Sequence, residues 1–436
     1  MNVELLNTGS ELLLGRILNT HQQWLGRRLA DLGLVLARQT AVPDTAEAIE
    51  AAVREALARG GLVITTGGLG PTSDDVTRER IAALLGRPLR EDARVRAHIA
   101  DFFARRMRTM PASTAVQALV PEGARVLWNP HGTAPGLALE IAAGRFGPPP
   151  AWLVMLPGPP RELRPMFDDV VVPLLGEWLP VTQAWACRTL RSTGLGESLV
   201  EERVAPRLAE LVARGLELGY CARNGEVDVR VAARGPDAPV LVTEAAAVVM
   251  DALHTHLYGE GDDLLEQATV RLLTECRRSV AIAESCTGGL IAHRLTNVPG
   301  ASAAVWGGWV TYANEAKQRE LGVPADLLAL HGAVSEPVAR AMAEGARTAS
   351  GADFALAVTG IAGPTGGTAE KPVGTVFIAL ASAAGTAVRH FVNAYDRETF
   401  KQLTSQQALE LLRQALLTGA PCGPAAGSGT ASGACP

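Results

Sequence analysis

Cysteine is scarce in this chain: six among 436 residues, at positions 187, 221, 276, 286, 422 and 435. No two form a C-x-x-C pair and none clusters with histidine. Neither a zinc site nor a disulfide framework is expected, and free thiols fit a reducing compartment. Aromatic residues are only 4% of the chain, and 40 Lys plus Arg face 45 Asp plus Glu, a net charge of −5. Without a basic stripe or an aromatic platform, no nucleic-acid partner is expected. No apolar run approaches the ~18 residues of a membrane span. The opening MNVELLNTGSELLLG shows neither the basic segment nor the cleavage site of a secretory signal. The expectation is a cytoplasmic protein with no membrane partner. Apolar residues are plentiful at 47%, enough to fill cores in two or three domains.

Along the chain, strand and helix patterns alternate. Val3–Thr8 reads as a strand opening into Gly9-Ser10-Glu11, and Leu34–Val42 as a second strand. Asp44 with Glu47 reads as a capping box for the next helix. Leu62–Thr66 is a third strand, running into Gly67-Gly68-Leu69-Gly70. This order predicts an α/β fold, a parallel or mixed sheet with helices on both faces, whose ligands bind beyond the strands' carboxyl ends. Four segments are expected: a first domain over 1–180, a small α+β connector over 181–260, a second α/β domain over 261–418, and a disordered low-complexity tail over 419–436.

In the second α/β domain, AESCTGG places Ser285 where a strand ends and a helix begins, with Cys286, Thr287, Gly288 and Gly289 after it. Free N–H groups there suit an oxyanion or a phosphate. GWVTYANEAK contributes Tyr312 and Lys317, and AVTGIAGPTGG contributes Thr359, Gly360, Gly363, Gly366 and Gly367. Taken singly, Ser285 reads as a helix cap, Lys317 as a surface charge and the glycines as a tight turn. Together they sit at strand ends of one unit and can converge. A serine needs a base; His293, His331 and His390 read as structural, and a desolvated lysine can serve.

These segments, with GAVSEPVARAMAEGAR and TGIAGPTGGTAEKPVGTV, resemble the competence/damage-inducible protein A (CinA) family over residues 1 to about 418. The C-terminal part resembles nicotinamide-mononucleotide amidohydrolase. The resemblance implies Ser285 as nucleophile, Lys317 as its base, and Tyr312 and Thr359 as assisting groups, with no cofactor. The implied reaction converts nicotinamide mononucleotide and water to nicotinate mononucleotide and ammonia. A homodimer is expected.

The N-terminal segments TGSELLLGRILNT, TTGGLGPTSDDVTRE, NPHGTAPG and LPGPPREL resemble the molybdopterin-binding-like domain of the same family. Gly9, Ser10, Glu11, Gly67, Gly68, Gly70, Thr72, Asp74, Asp75, Gly132, Thr133 and Gly158 are the candidate nucleotide-binding residues, and Asp75 the candidate metal ligand. Helix capping is the plainer reading of Asp74 and Asp75. Family members that hydrolyse ADP-ribose here use a divalent metal and potassium. This sequence departs from the pattern at Ser10, His21 and Pro43, and MPASTAVQA lacks the asparagine and basic residues usual there. Nucleotide binding is the expectation, with hydrolysis left open. The alternative is a non-catalytic pterin- or dinucleotide-binding protein whose C-terminal unit serves dimerisation; a DNA-uptake role has no basic surface behind it.

Overall fold

A computed structural model describes residues 2–179 and 184–419; the tail expected to be disordered lies, but for Gly419, outside the described residues. The chain divides into two compact units, residues 1–186 and 187–436.

In the first unit a six-stranded sheet runs in the order Arg38–Val42, Val3–Thr8, Gly61–Thr66, Ala151–Leu156, Gly136–Ile141, Arg125–Leu127. The first four are parallel; Gly136–Ile141 pairs antiparallel with both its neighbours, so it alone runs against the others. Val3–Thr8 and Gly61–Thr66 are buried along their whole length, as strands covered on both faces must be. Leu6, Val53, Leu57, Val63 and Ile81 fill one side and Leu5, Leu25, Leu29, Ile64 and Phe167 the other. The last two strands escape a sequence reading because one is three residues long and neither alternates.

The capping box expected at Asp44 does not form. The helix Ala46–Arg59 has Thr45 at its N-cap, with no side-chain cap. Parallel pairing sets Thr8 opposite Val42, so the turns that follow meet. The Asp44 carboxylate accepts from Ser10 N at 2.8 Å, and Asp44 N donates to Ser10 Oγ at 3.2 Å. Tertiary contact outweighs a local cap.

The second unit opens with a four-stranded sheet ordered Glu217–Arg223, Glu226–Arg234, Trp185–Thr193, Leu257–Glu260. The helices Glu197–Ala213 and Ala238–Leu253 pack against each other, and the second of them lies on Glu226–Arg234. The stretch Ala238–His256 is, by length and mean hydropathy alone, long and apolar enough to cross a bilayer, although Thr243, Glu244 and Asp251 interrupt its apolar run. Its Leu241, Ala245, Val249 and Leu253 are buried in this module.

The same unit continues with a five-stranded sheet ordered Val305–Val310, Val280–Glu284, Phe354–Gly360, Thr375–Ser382, Gly385–Val392. The first three are parallel, and Thr375–Ser382 pairs antiparallel with both its neighbours. One face is almost all alanine (Ala281, Ala283, Ala355, Ala357, Ala379), and the helix Glu336–Ser350 packs on it through Ala339, Met342, Ala343 and Ala346. The other face, with Ile282, Leu356 and Ile378, meets Leu273, Phe400, Leu409 and Leu412. Helices Asn314–Leu321 and Ala325–His331 are not anticipated by the sequence pattern: the first buries only Lys317 and Leu321 and so lacks an apolar stripe. Cys276 is disulfide-bonded, against the expectation of free thiols, while Cys221 and Cys286 are free.

The last helix, Arg397–Gly419, is tied to the four-stranded module. Arg413, 2% exposed, donates to the carbonyls of Leu257 (3.0 Å) and Thr255, and Gln406 Nε2 donates to Glu226 Oε1 at 2.9 Å. Cutting the chain at 262 removes these partners and uncovers that side of the helix, at about 0.5–1.5 kcal/mol per hydrogen bond lost. A 262–419 fragment is therefore expected to melt below a 187–419 fragment in calorimetry; equal melting temperatures would show that the ties carry no net stability.

Candidate active site

Ser285 follows the strand Val280–Glu284 without a gap, and its N–H donates to Val358 O on the adjacent strand at 3.1 Å. Two carbonyl-bonded anchors fix the neighbouring segment: Thr311 N donates to Glu284 O at 2.8 Å, and Lys317 N to Ala313 O at 3.2 Å. The helix Asn314–Leu321 then aims Lys317 inward. Lys317 is 1% exposed and Ser285 8%. Lys317 Nζ lies 3.2 Å from Ser285 Oγ, 2.7 Å from Thr311 O and 3.2 Å from Tyr312 O. Burial lowers the lysine pKa below its ordinary 10.5, opposed in part by the neighbouring Cys286. All three oxygens can accept from Nζ; in its neutral form the amine would keep its two N–H bonds on the carbonyls and leave its lone pair to accept the serine O–H.

Cys286 turns the other way, into the apolar core with Ile282, Ile291 and Leu356. Burial pushes its thiol up to about 12, so no thiolate forms at neutral pH. The start of the helix Leu290–Thr296 is not the free anion site expected from the sequence. The buried Glu284 carboxylate takes the N–H groups of Gly289 (3.0 Å), Ile291 (3.1 Å) and Ala292 (2.9 Å), and Gly288 N donates to Ser285 O at 3.1 Å. A buried carboxylate seeks such donors, and it cancels the positive helix end. In this turn the N–H groups of Cys286 and Thr287 have no carbonyl partner among the described residues and turn toward the Cys286 sulfur, a weak acceptor, and the hydroxyls of Thr287 and Thr311 are buried without a partner.

Thr359 is buried, but its hydroxyl donates to Ala333 O at 2.8 Å, tying down the turn before the helix Glu336–Ser350 instead of facing an oxyanion. Tyr312 reaches Lys317 with its carbonyl only. Its side chain is 61% exposed, and its hydroxyl accepts from Arg397 at 2.8 Å while Arg397 also donates to Gly363 O at 2.9 Å. Gly360 and Gly367 stand where a Cβ would strike Thr375 O and Val373 N. Gly363 and Gly366 hold left-handed φ of +73° and +93°, open to glycine at no steric cost. Sequence reading passes over Glu284, Arg397 and Lys401. Lys401, one turn after Arg397, brings Nζ to 3.6 Å from where a Cβ on Gly288 would stand. The available signal is two cations four apart at the start of the last helix.

The first unit has its own cleft of about 560 Å³ at the carboxyl ends of its parallel strands. Of the expected residues, Gly9, Glu11, Gly67, Gly68, Gly70, Asp74, Asp75, Thr133 and Gly158 line it. Ser10, Thr72 and Gly132 do not: Ser10 pairs with Asp44, and Thr72 donates through N (3.0 Å) and Oγ1 to Asp75. Gly132 packs on Glu162, whose carboxylate a Cβ would overlap at 1.9 Å. Asp74 and Asp75 do not cap the helix Thr77–Leu84, whose N-cap is Val76 with no side-chain bond. Gly67 and Gly68 have φ of +95° and +65°, and a Cβ on Gly68 would meet Thr77 Oγ1 at 1.9 Å; glycine alone fits that turn.

The cleft also contains groups the sequence reading does not assign. Asp44 lines it, as do His21, Gln117 and Glu162. Burial lowers the His21 pKa, against the hydrogen bond it makes to Gly158 O, and burial raises Glu162 against the lowering effect of Asn129. Among the described residues no group of three or more His, Cys, Asp or Glu side chains is gathered for a metal ion. Asp75 would hold a cation only if a bound nucleotide's phosphates completed the shell.

Three families match successive parts of the chain: the "Probable molybdopterin binding domain" over residues 4–177, the damage-inducible protein CinA KH domain over 187–259, and the CinA C-terminal domain over 262–416. A CinA-like protein of Gemmatimonas aurantiaca is 45% identical over 425 residues, covering 95% of this chain and 96% of its own. A CinA-like protein of Akkermansia muciniphila is 46% identical over 410 residues, covering 94% and 96%. The crystal structure of the competence/damage inducible protein CihA from Agrobacterium tumefaciens shares 46% identity over 35% of this chain and 93% of that one, with a TM-score of 0.34. The chain belongs to the CinA family, with a molybdopterin-binding-like domain ahead of the CinA C-terminal domain.

Proposed function

We propose that the second unit hydrolyses the carboxamide of nicotinamide mononucleotide, giving nicotinate mononucleotide and ammonia. The buried Lys317 amine 3.2 Å from Ser285 Oγ carries this reading. A lysine desolvated to that degree is a base, and the adjacent hydroxyl is what it deprotonates. Ser285 Oγ attacks the amide carbon as its proton passes to Lys317 Nζ. The carbonyl oxygen becomes an oxyanion facing the N–H groups of Cys286 and Thr287. The C–N bond breaks, Lys317 returns the proton to the nitrogen, and ammonia leaves an acyl-serine. Water, deprotonated by the same amine, cleaves the ester and restores the serine. Arg397 and Lys401 stand at the rim, where the nucleotide's phosphate needs a positive partner. The reaction as written uses no cofactor, and we propose a homodimer as its working form.

The first unit binds a nucleotide or pterin in its 560 Å³ cleft, within the usual size of a small-molecule site, and we assign no hydrolysis to it. One assay tests the main reading: the purified chain is expected to release ammonia and nicotinate mononucleotide from nicotinamide mononucleotide in equal amounts, with or without EDTA. Release of free nicotinamide, or no turnover at all, would sink it.

A further inference from the structure

The cleft of the first unit has a hydrogen-bonding imbalance that a phosphate cannot correct. Gln117 is 2% exposed and lines the cleft. Its Nε2 donates to Leu69 O at 3.2 Å, which fixes which end of the amide is oxygen. Its Oε1 is buried with no partner. A buried, unmet acceptor costs about 1–3 kcal/mol, so something that binds there is expected to donate to it.

Glu162 presents a second acceptor in the same cleft, 7% exposed. Its Oε2 accepts from Asn129 Nδ2 at 2.8 Å, and Asn129 is itself locked by Ala134 O at 2.8 Å and by His131 N at 3.1 Å. Gly132 wraps so closely around that carboxyl that no side chain fits between them. The carboxyl group is therefore held rigid, and its Oε1 has only the exposed Arg161 guanidinium near it, Nε at 3.9 Å, beyond hydrogen-bonding reach. A phosphate or pyrophosphate offers only acceptors and would be repelled by both residues. The Gly67–Gly70 turn, by contrast, offers backbone donors suited to an anion.

We propose that Gln117 and Glu162 read the N–H edge of a heteroaromatic ring of purine or pterin type, while the Gly67–Gly70 turn holds its phosphate. This rests on the reading of the cleft as a nucleotide or pterin site and names the part of the ligand that decides specificity. An amino group or a ring N–H satisfies the two oxygens. A ring bearing only acceptors leaves them bare, the kind of mismatch that discriminates most strongly between ligands.

The test is calorimetry on the full chain with matched pairs: ADP against the diphosphate of purine riboside, which lacks the 6-amino group, and GDP against IDP, which lacks the 2-amino group. Neopterin serves as the pterin arm and pyrophosphate as the phosphate-only arm. The wild-type chain is expected to favour at least one aminated member of a pair by about tenfold or more, and the pair that discriminates identifies the ring. Gln117→Met and Glu162→Gln should each shrink that ratio while pyrophosphate binding is unchanged. Because the ratio is taken within each variant, a partly unfolded preparation does not imitate the result, and circular dichroism checks the fold. Wild-type binding that ignores the amino groups, or variants that keep the full ratio, would overturn the inference and leave the cleft reading standing. If no probe binds, pyrophosphate included, the cleft reading itself falls and this inference with it.

Discussion

Ser285→Ala is expected to lower kcat by roughly a thousandfold or more, the scale of losing a nucleophile. Cys286→Ala is expected to stay within about tenfold. The two residues are adjacent, and on sequence alone the thiol is the stronger nucleophile, so the structure has to separate them. It does so by direction and by proton. Ser285 Oγ faces Lys317 Nζ, whereas Cys286 packs among Ile282, Ile291 and Leu356. With its thiol pushed up to about 12 by burial, Cys286 carries a negligible thiolate fraction at pH 7. Iodoacetamide should therefore inactivate the enzyme slowly, if at all. The loss expected for Cys286→Ala comes from packing: the turn that presents the Cys286 and Thr287 N–H groups leans on that side chain. Steady-state ammonia release from both variants settles the point. A dead Cys286→Ala beside an active Ser285→Ala would reverse the mechanism and leave the amide substrate in place.

Much of the site is legible in the sequence because strand ends are. Strands rich in valine, isoleucine and alanine stand out by composition, and several run directly into a glycine-bearing turn. Pattern alone therefore puts Ser285, Thr359 and the Gly67–Gly70 turn at strand ends. The Ser285–Lys317 pair is legible as chemistry, since no histidine offers itself as a base. What stays hidden depends on contacts between segments far apart in sequence. Asp44 has the spacing of a capping box, yet it closes on Ser10 because two parallel strands end side by side. Thr359 is at the right strand end, yet its hydroxyl turns to Ala333. The free helix start after Ser285 is an illusion of the linear sequence. Glu284 precedes the serine, points inward from a strand covered on both faces, and takes three N–H groups of the helix. No local pattern marks that residue as a cap, because it caps from before the turn and not from within it. In the proposed mechanism this leaves the N–H groups of Cys286 and Thr287 as the oxyanion donors.

Lys317 is the residue on which pH dependence turns. A base must be neutral to accept a proton, so kcat/KM is expected to rise with pH through an ascending limb whose midpoint lies below the ordinary lysine value of 10.5, in the direction that burial shifts Lys317. Lys317→Met should cost about 10²–10⁴-fold in kcat, the usual range for a general base. Lys317→Arg should cost as much, since a guanidinium keeps its proton throughout and cannot shuttle it between Ser285 and the leaving nitrogen. A merely electrostatic role for Lys317 predicts the opposite: Arg would retain activity and the ascending limb would vanish without loss at low pH. Stability supplies an independent readout. Between the lowered folded pKa and 10.5 the unfolded chain holds a proton at this lysine that the folded chain has lost, so unfolding free energy rises with pH across that window. Below the window both states are protonated and the full cost of burying the charge is felt. Denaturant unfolding of wild type against Lys317→Met should therefore show a pH-dependent gap: the wild type gains stability as pH climbs through the window, and the methionine variant, with nothing to titrate there, lacks that gain. Parallel stability curves for the two proteins would mean that Lys317 titrates in the fold as it does in water, and the base assignment would fail with it.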